Sequence, residues 1–562
     1  MNAAEYALDV LESHGVRHVF GVPGKGLMGL LHGLEGRRGR VDFVLSKHEQ
    51  GGSYMADGYA RARGGLGVCL AISGGAALNL MGGVASAYAD SISLLAITGN
   101  APTSQFGRKA MMEFSGIHRF PDPARLFEPI TKMSRMLRSA REVPEALERA
   151  IETAMSGRRG PVHLNIPPDV QMDEVGLDRV PPPAAFDRRP VPDPARLAEA
   201  AALLAGARQP VILAGWGSVL SGARPEILAL GEALGAPLVT TLKGKAAVPA
   251  GHPLWLGHVA MGGSPRAVRV MTSPEVDLVL AVGTTLGEYT NFAWDPTFAP
   301  RARFIQLDLD PAEISTLYPV ALALVGDARA CLTEILRRLS PDEGRARGRR
   351  AALEALVRGV PLHENPEAML SAGRPLRPAA VIHRLAALLP DGTQLALDAG
   401  NNTMFTVHYY PLKPGDGFYH AAGSAVMGWA VPGAIGVKLA RPQAPVVCVS
   451  GDGGFLMNGM ELETAASQGA AVLWVILTNR VLGTVRTYQQ LFRKGDFLAS
   501  SLGDIDLARV AAGLGVQGVR VEALDDLDRA VARFLEDPRP TLLDVRVDPD
   551  EIPPGIMSRM KH

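Results

Sequence analysis

Two short apolar runs near the C-terminus, Ala444 to Val449 and Ala471 to Thr478, flank a helix-like stretch from Met457 to Gln468. Both runs are uncharged and rich in β-branched residues, as buried parallel strands are. Parallel neighbours need a crossover of a dozen or more residues, so this region must be an open α/β sheet. Both strands then end on one sheet edge, where such sheets bind ligands. Gly451-Asp-Gly-Gly454 closes the first run, and Asn479 closes the second, 27 positions after Asp452 (479 − 452). Two hard side-chain oxygens therefore meet at that edge. Magnesium takes about six oxygen ligands, and a site with one or two protein carboxyl or amide groups completes its shell with phosphate oxygens, water and carbonyls. Gly453 and Gly454 leave backbone N–H groups open to an anion. A Gly-Asp-Gly by itself is most often only a turn after a strand. The asparagine at crossover distance is what favours a metal–diphosphate site.

The chain of 562 residues is too long for one core and predicts three or four domains. Strand–helix alternation fills residues 1–175, a proline-rich linker follows from Pro181 to Pro194, and further α/β segments cover 190–340 and 370–550. Ser340 to Arg350 reads as a polar, arginine-rich connector. The expected fold class is α/β, with three doubly wound parallel-sheet domains. Lys+Arg and Asp+Glu are both 57, so no basic excess points to nucleic acid. No run of about 18 uncharged apolar residues points to a membrane, and the N-terminus lacks a signal-peptide layout. Cys69, Cys331 and Cys448 sit singly in apolar segments, which predicts buried thiols and a cytoplasmic protein.

Gly451-Asp-Gly-Gly-Phe through Thr478-Asn479 resembles the thiamin-diphosphate motif of the acetolactate synthase, pyruvate oxidase and benzoylformate decarboxylase family. Thr478 replaces the first asparagine of that motif, and Asn479 keeps the second. Phe20-Gly-Val-Pro-Gly24 is similar to the family's opening loop, and Lys47-His-Glu-Gln-Gly51 with Ala56-Asp-Gly-Tyr-Ala-Arg61 to its catalytic helix. Gly251-His-Pro-Leu254, Gln306-Leu-Asp-Leu-Asp-Pro311 and Met427-Gly-Trp-Ala-Val-Pro-Gly-Ala-Ile-Gly436 follow in the family's order. The resemblance implies pyrimidine-binding, central and diphosphate-binding domains. It also implies a homodimer or homotetramer with sites at subunit interfaces, holding thiamin diphosphate and Mg2+. The metal ligands it implies are Asp452, Asn479 and the Val481 carbonyl.

The catalytic candidate is Glu49, placed by the family to bond the aminopyrimidine ring and favour its imino tautomer. A water-poor pocket would raise its pKa; the alternative is a solvated glutamate at a helix start. The resemblance places Asn79 with the cofactor and gives Met427 the part of the apolar residue that bends it, although core filling is the commoner use of methionine. Ala425 falls at a family glycine whose carbonyl takes the 4′-amino proton, a role an alanine fills if its φ is negative. Asn401 and Asn402 replace a family Gln-His beside the diphosphate.

Lys25 stands where the family has Gly or Ser facing the substrate, and would either pair with a substrate anion or point to solvent. Met112 replaces a glutamine, Tyr488 replaces a tryptophan near the entrance, and His118 lies in an insertion as a proton shuttle or an exposed loop histidine. Val282-Gly-Thr-Thr-Leu-Gly-Glu-Tyr289 replaces the arginine stretch of flavin-binding relatives, so FAD is not expected. The resemblance implies an enzyme that decarboxylates a 2-oxo acid and joins the product to a carbonyl acceptor. A non-oxidative decarboxylase and a non-catalytic cofactor-binding subunit remain as alternatives.

Overall fold

The computed structural model describes residues 1–180, 182, 183 and 189–556. Within the predicted linker, Pro181 and residues 184–188 lie outside the described residues. The described strands form three sheets of six, and every strand pairing in them is parallel. The first sheet begins with His18–Gly21, the central one with Pro210–Ala214 and the third with Gln394–Leu397.

With strands numbered in chain order inside each sheet, the first and third share the order 2-1-3-4-6-5. The central sheet runs 3-2-1-4-5-6, the order of dinucleotide-binding sheets. In each sheet the order reverses beside strand 1, and the crevice at that reversal is where ligands bind. A cleft of about 870 Å3 opens at the central crevice, lined by Trp216, Gly217, Gly283 and Thr284. The departure at Val282–Tyr289 has therefore left the cleft itself in place.

The predicted C-terminal strands form as Val446–Gly451 and Val472–Thr478. The intervening helix differs from expectation. It starts at Asp452 rather than Met457, runs to Asn458, and resumes as Glu461–Gln468. Gly451 is extended at φ −85° and ψ 162°, so the chain turns from strand into helix at the aspartate itself. The connector at 340–350 is also helical: Glu343–Gly359, capped by the Asp342 side chain on Arg345 N. Alanine, leucine and arginine are strong helix formers. Arg349 fastens that helix to the central domain through the carbonyls of Arg208, Ala207 and Leu234.

The outer two domains meet where helix Glu49–Arg63 crosses helix Ala430–Ala440. A Cβ added at Gly58 would stand 2.2 Å from the Gly433 carbonyl oxygen, and one at Gly436 1.9 Å from that of Met55. Backbone lies against backbone there. Cys69, Cys331 and Cys448 are buried free thiols, as expected. Burial pushes the first two up to about 12, so they are inert as nucleophiles. Among the described residues no helix is long and apolar enough to cross a membrane.

Candidate functional site

The crevice of the third sheet holds the predicted diphosphate residues together. Asn401, Asn402, Met427, Asp452, Gly453, Gly454, Asn479 and Val481 all line one cleft of about 100 Å3. Asp452 is 5% exposed, and its two carboxylate oxygens accept from Gly453 N at 3.0 Å and Arg480 N at 2.7 Å. Burial pushes its carboxyl up to about 6, against the lowering effect of those bonds. An anion held in so little water is short of positive charge, which a cation supplies. Asn479 Oδ1 accepts from Val481 N at 3.2 Å, so the amide oxygen and the Val481 backbone belong to one tight turn. A Cβ at Gly453 would stand 2.8 Å from the end of the Leu482 side chain and 3.6 Å from that of Met427, so apolar side chains close over this glycine. One carboxylate, one amide oxygen and one carbonyl suit a hard cation that also holds phosphate oxygens, so the residues present fit Mg2+ and a diphosphate.

The two asparagines divide the work at this edge. Asn401 bonds Thr484 at 3.0 Å and Thr487 at 3.1 Å, tying the helix Gly483–Phe492 to the cleft. Asn402 is buried and donates to the carbonyls of Asp398 and Val449 at 2.8 and 3.3 Å, so its amide secures strand ends. Ala425 has φ +48°, opposite to the sign expected of an alanine serving here. The backbone here is left-handed, the conformation a glycine would favour, and it bears the strain of a Cβ.

Glu49 lies elsewhere. It is the first residue of helix Glu49–Arg63, after His48, whose Nδ1 accepts from Gln50 N. Its carboxylate accepts a 2.9 Å bond from Asn79 Nδ2, which makes the two neighbours. Glu49 is half-buried, not enclosed in the water-poor pocket expected for it. Among the described residues none before Pro378 lines this cleft, so Glu49 is not part of it.

The proposed substrate residues gather at the first sheet's crevice, with one exception. Lys25 opens a turn after the first strand and is exposed; a Cβ on neighbouring Gly26 would stand 3.1 Å from the Asn100 carbonyl oxygen. Ser73 Oγ donates to the Met112 carbonyl at 2.6 Å, and Asn100 Nδ2 to that of Phe114 at 2.7 Å. These bonds set the loop carrying Met112 beside the Lys25 turn. His118 is exposed at φ +57° in the same loop. Tyr488 is 41% exposed on the C-terminal domain, its ring stacked on Phe492.

Two buried carboxylates went unread in the sequence. Asp398 accepts from Gly428 N at 3.0 Å and Ser450 Oγ at 2.7 Å, and burial pushes it up to about 6. Glu461 accepts from Lys47 N and His48 N at 3.0 and 3.1 Å, anchoring the residues just before Glu49. Both bind backbone N–H groups, and such bonds leave no residue pattern to read. A carboxylate ending an apolar strand before glycine, as in Leu397-Asp-Ala-Gly400, is the one available signal.

Three family models match in chain order: the thiamine pyrophosphate enzyme N-terminal TPP binding domain at 1–118, its central domain at 197–335 and its C-terminal TPP binding domain at 398–545. A protein named "Probable acetolactate synthase large subunit" from Methanocaldococcus jannaschii is 35% identical over 99% of this chain and 94% of its own length. The acetolactate synthase of Arthrospira platensis is 35% identical over 97% of this chain and 94% of its own. The acetolactate synthase isozyme 2 large subunit of Escherichia coli is 33% identical over 99% and 98%. With its diphosphate cleft, its Glu49–Asn79 pair and these matches along nearly the whole length, the chain belongs to the thiamine pyrophosphate enzyme family.

Proposed function

We propose that this enzyme decarboxylates a 2-oxo acid and joins the remaining fragment to a second carbonyl compound, as its relatives' names describe, using thiamin diphosphate and Mg2+. The observation that carries this reading is the convergence of Asp452, Asn479 and the Val481 turn on one cleft, with Glu49 fixed by Asn79 on another domain. Asp452, the Asn479 amide and the Val481 carbonyl hold the cation, and Gly454 presents its backbone N–H to the diphosphate. Thiamin diphosphate supplies the carbon nucleophile and the electron sink for loss of CO2. Glu49 holds a proton at its carboxylate against the pyrimidine ring, and Asn79 fixes which oxygen faces it. Met427 gives the cofactor an apolar support that excludes water.

A complete site in this reading takes Glu49 from one chain and Asp452 from another. Exposed apolar residues beside both halves support that: Leu78 next to Asn79, and Leu456, Met457 and Met460 after the Gly454 turn, the last two more than half exposed. Lys25, free of any partner among the described residues, recognises a second anionic group on the substrate; Lys25→Ala then lowers kcat/KM more for a dianionic than for a monoanionic 2-oxo acid. Mass spectrometry of products from a panel of 2-oxo acids, with and without aldehyde acceptors, tests the reaction. Carboligated products are expected. Aldehyde and CO2 alone, whatever the acceptor, would replace the reading with simple decarboxylation.

A further inference from the structure

The segment Gly423 to Trp429 carries both Ala425 and Met427, and three buried aspartates fasten it. At its start Gly423 N donates to Asp90 Oδ1 at 2.9 Å. A Cβ at position 423 would stand 2.7 Å from that oxygen and 2.8 Å from the Ala89 Cβ, so the contact admits only glycine. At its end Gly428 N donates to Asp398 Oδ2 at 3.0 Å, and Trp429 Nε1 to Asp57 Oδ2 at 2.9 Å. None of the three aspartates is more than 1% exposed.

Cations link two of them. Arg61 donates to both oxygens of Asp57 at 2.7 and 3.0 Å and to Asp90 Oδ2 at 2.9 Å, and lies over the Trp429 ring. Lys243 reaches in from the central domain to Asp90 Oδ1 at 2.8 Å, and Trp216 of that domain donates to the Asp90 carbonyl at 3.0 Å. Burial alone would raise Asp90; Lys243 and Arg61 hold it down to about 2. Two carboxylates against two cations make the buried group neutral, which removes the usual penalty of lone buried charge. One side chain thus receives bonds from all three domains.

An alanine at positive φ persists only where its surroundings over-determine it, and bonds at both ends of one short segment do that. We propose that Asp57, Asp90 and Asp398 are positioning residues that set the backbone between Gly423 and Trp429, and that the Asp90–Lys243 contact makes this setting depend on the central domain. The inference rests on the reading that this segment faces thiamin diphosphate.

Lys243 is part-exposed, so Lys243→Met is the variant most able to fold, with Asp90→Asn as the more severe change and Lys243→Arg as the conservative one. Deuterium exchange of the backbone amides from 421 to 429 in the cofactor-free protein reads the clamp directly. Lys243→Met is expected to speed that exchange at least tenfold while exchange in the sheets is unchanged, and to lower kcat about tenfold with KM and the thiamin diphosphate Kd within about twofold. Lys243→Arg restores both. Unchanged exchange in this segment, or faster exchange spread over the whole molecule, overturns the proposal. If the unsubstituted protein binds no thiamin diphosphate, the functional reading fails, and the exchange result still decides the clamp.

Discussion

At the residue scale the site rests on a few oxygens whose replacement has distinct readouts. Glu49→Gln removes the proton-holding carboxylate but keeps the shape and the Asn79 contact. Exchange of the thiamin C2 proton, followed by NMR, is expected to fall ~100-fold or more, the range of general acid–base effects, with cofactor affinity little changed. Asp452→Ala does the reverse, weakening Mg2+ and cofactor binding more than ~100-fold in calorimetry, because it removes the only carboxylate in the metal-binding set. Ala425→Gly relieves a left-handed alanine worth about 1–2 kcal/mol but adds the chain entropy of glycine, about 0.5–1 kcal/mol. Unfolding in urea is expected to show a gain of up to about 1.5 kcal/mol. Asp452 and Asn479 were legible in the sequence because the crossover length fixes their spacing. Asp90, Asp398 and Glu461 were not, since a carboxylate that binds backbone N–H groups from distant segments needs no particular neighbours in sequence.

At the scale of elements, strands were the most legible. Leu278–Val282 forms as predicted, and the C-terminal strands shift by only one or two residues, because continuous β-branched runs are buried on both faces of a parallel sheet. Helix starts were less so: the Asp452 start depends on Gly451 being extended, which composition does not encode. The connector helix was hidden by its charge, since most of its length faces solvent and shows little apolar stripe. The crossing of helices Glu49–Arg63 and Ala430–Ala440 makes the sharpest test at this scale. Gly436→Ala places a methyl 1.9 Å from the Met55 carbonyl oxygen, in a contact with no side chain to yield. A loss on the order of 3 kcal/mol is expected in denaturant unfolding, from the overpacking that follows.

At the scale of the whole molecule, the central and C-terminal domains share a seam of bases, three of them buried and His363 half-buried. His258 and Lys245 come from the former, His408 from the latter and His363 from the connector, with His363 and His408 ring centroids 5.2 Å apart. Burial holds Lys245 down to about 7, His363 to about 4 and His408 to about 3. Arg266 and His383 add positive charge nearby, and Glu364 gives His408 its backbone N–H. Each base binds protons more weakly folded than unfolded, so stability rises with pH across each window. For His363 and His408 that window runs from about 3–4 to 6.5, and Tm is expected to fall as pH is lowered through it. For Lys245 it runs from about 7 to 10.5, so Lys245→Met raises Tm near pH 8 and loses its advantage above pH 10.5. The two-chain site has its own test. Mixing Glu49→Gln and Asp452→Ala chains, each inactive alone, regenerates up to about a quarter of the sites at random pairing in a symmetric dimer; no recovered turnover would place the whole site within one chain.

The first and third sheets share one strand order, and the two crossing helices follow equivalent strands, the second in each. The two outer units of a chain thus share one topology and are pressed together at a point where carbonyls touch α-carbons. Such a joint leaves little slack for bending, so under the two-chain proposal Glu49 would meet the cation site through a second chain and not through a hinge between these domains. Dilution, more than any internal motion, would then be what empties the enzyme of its vitamin.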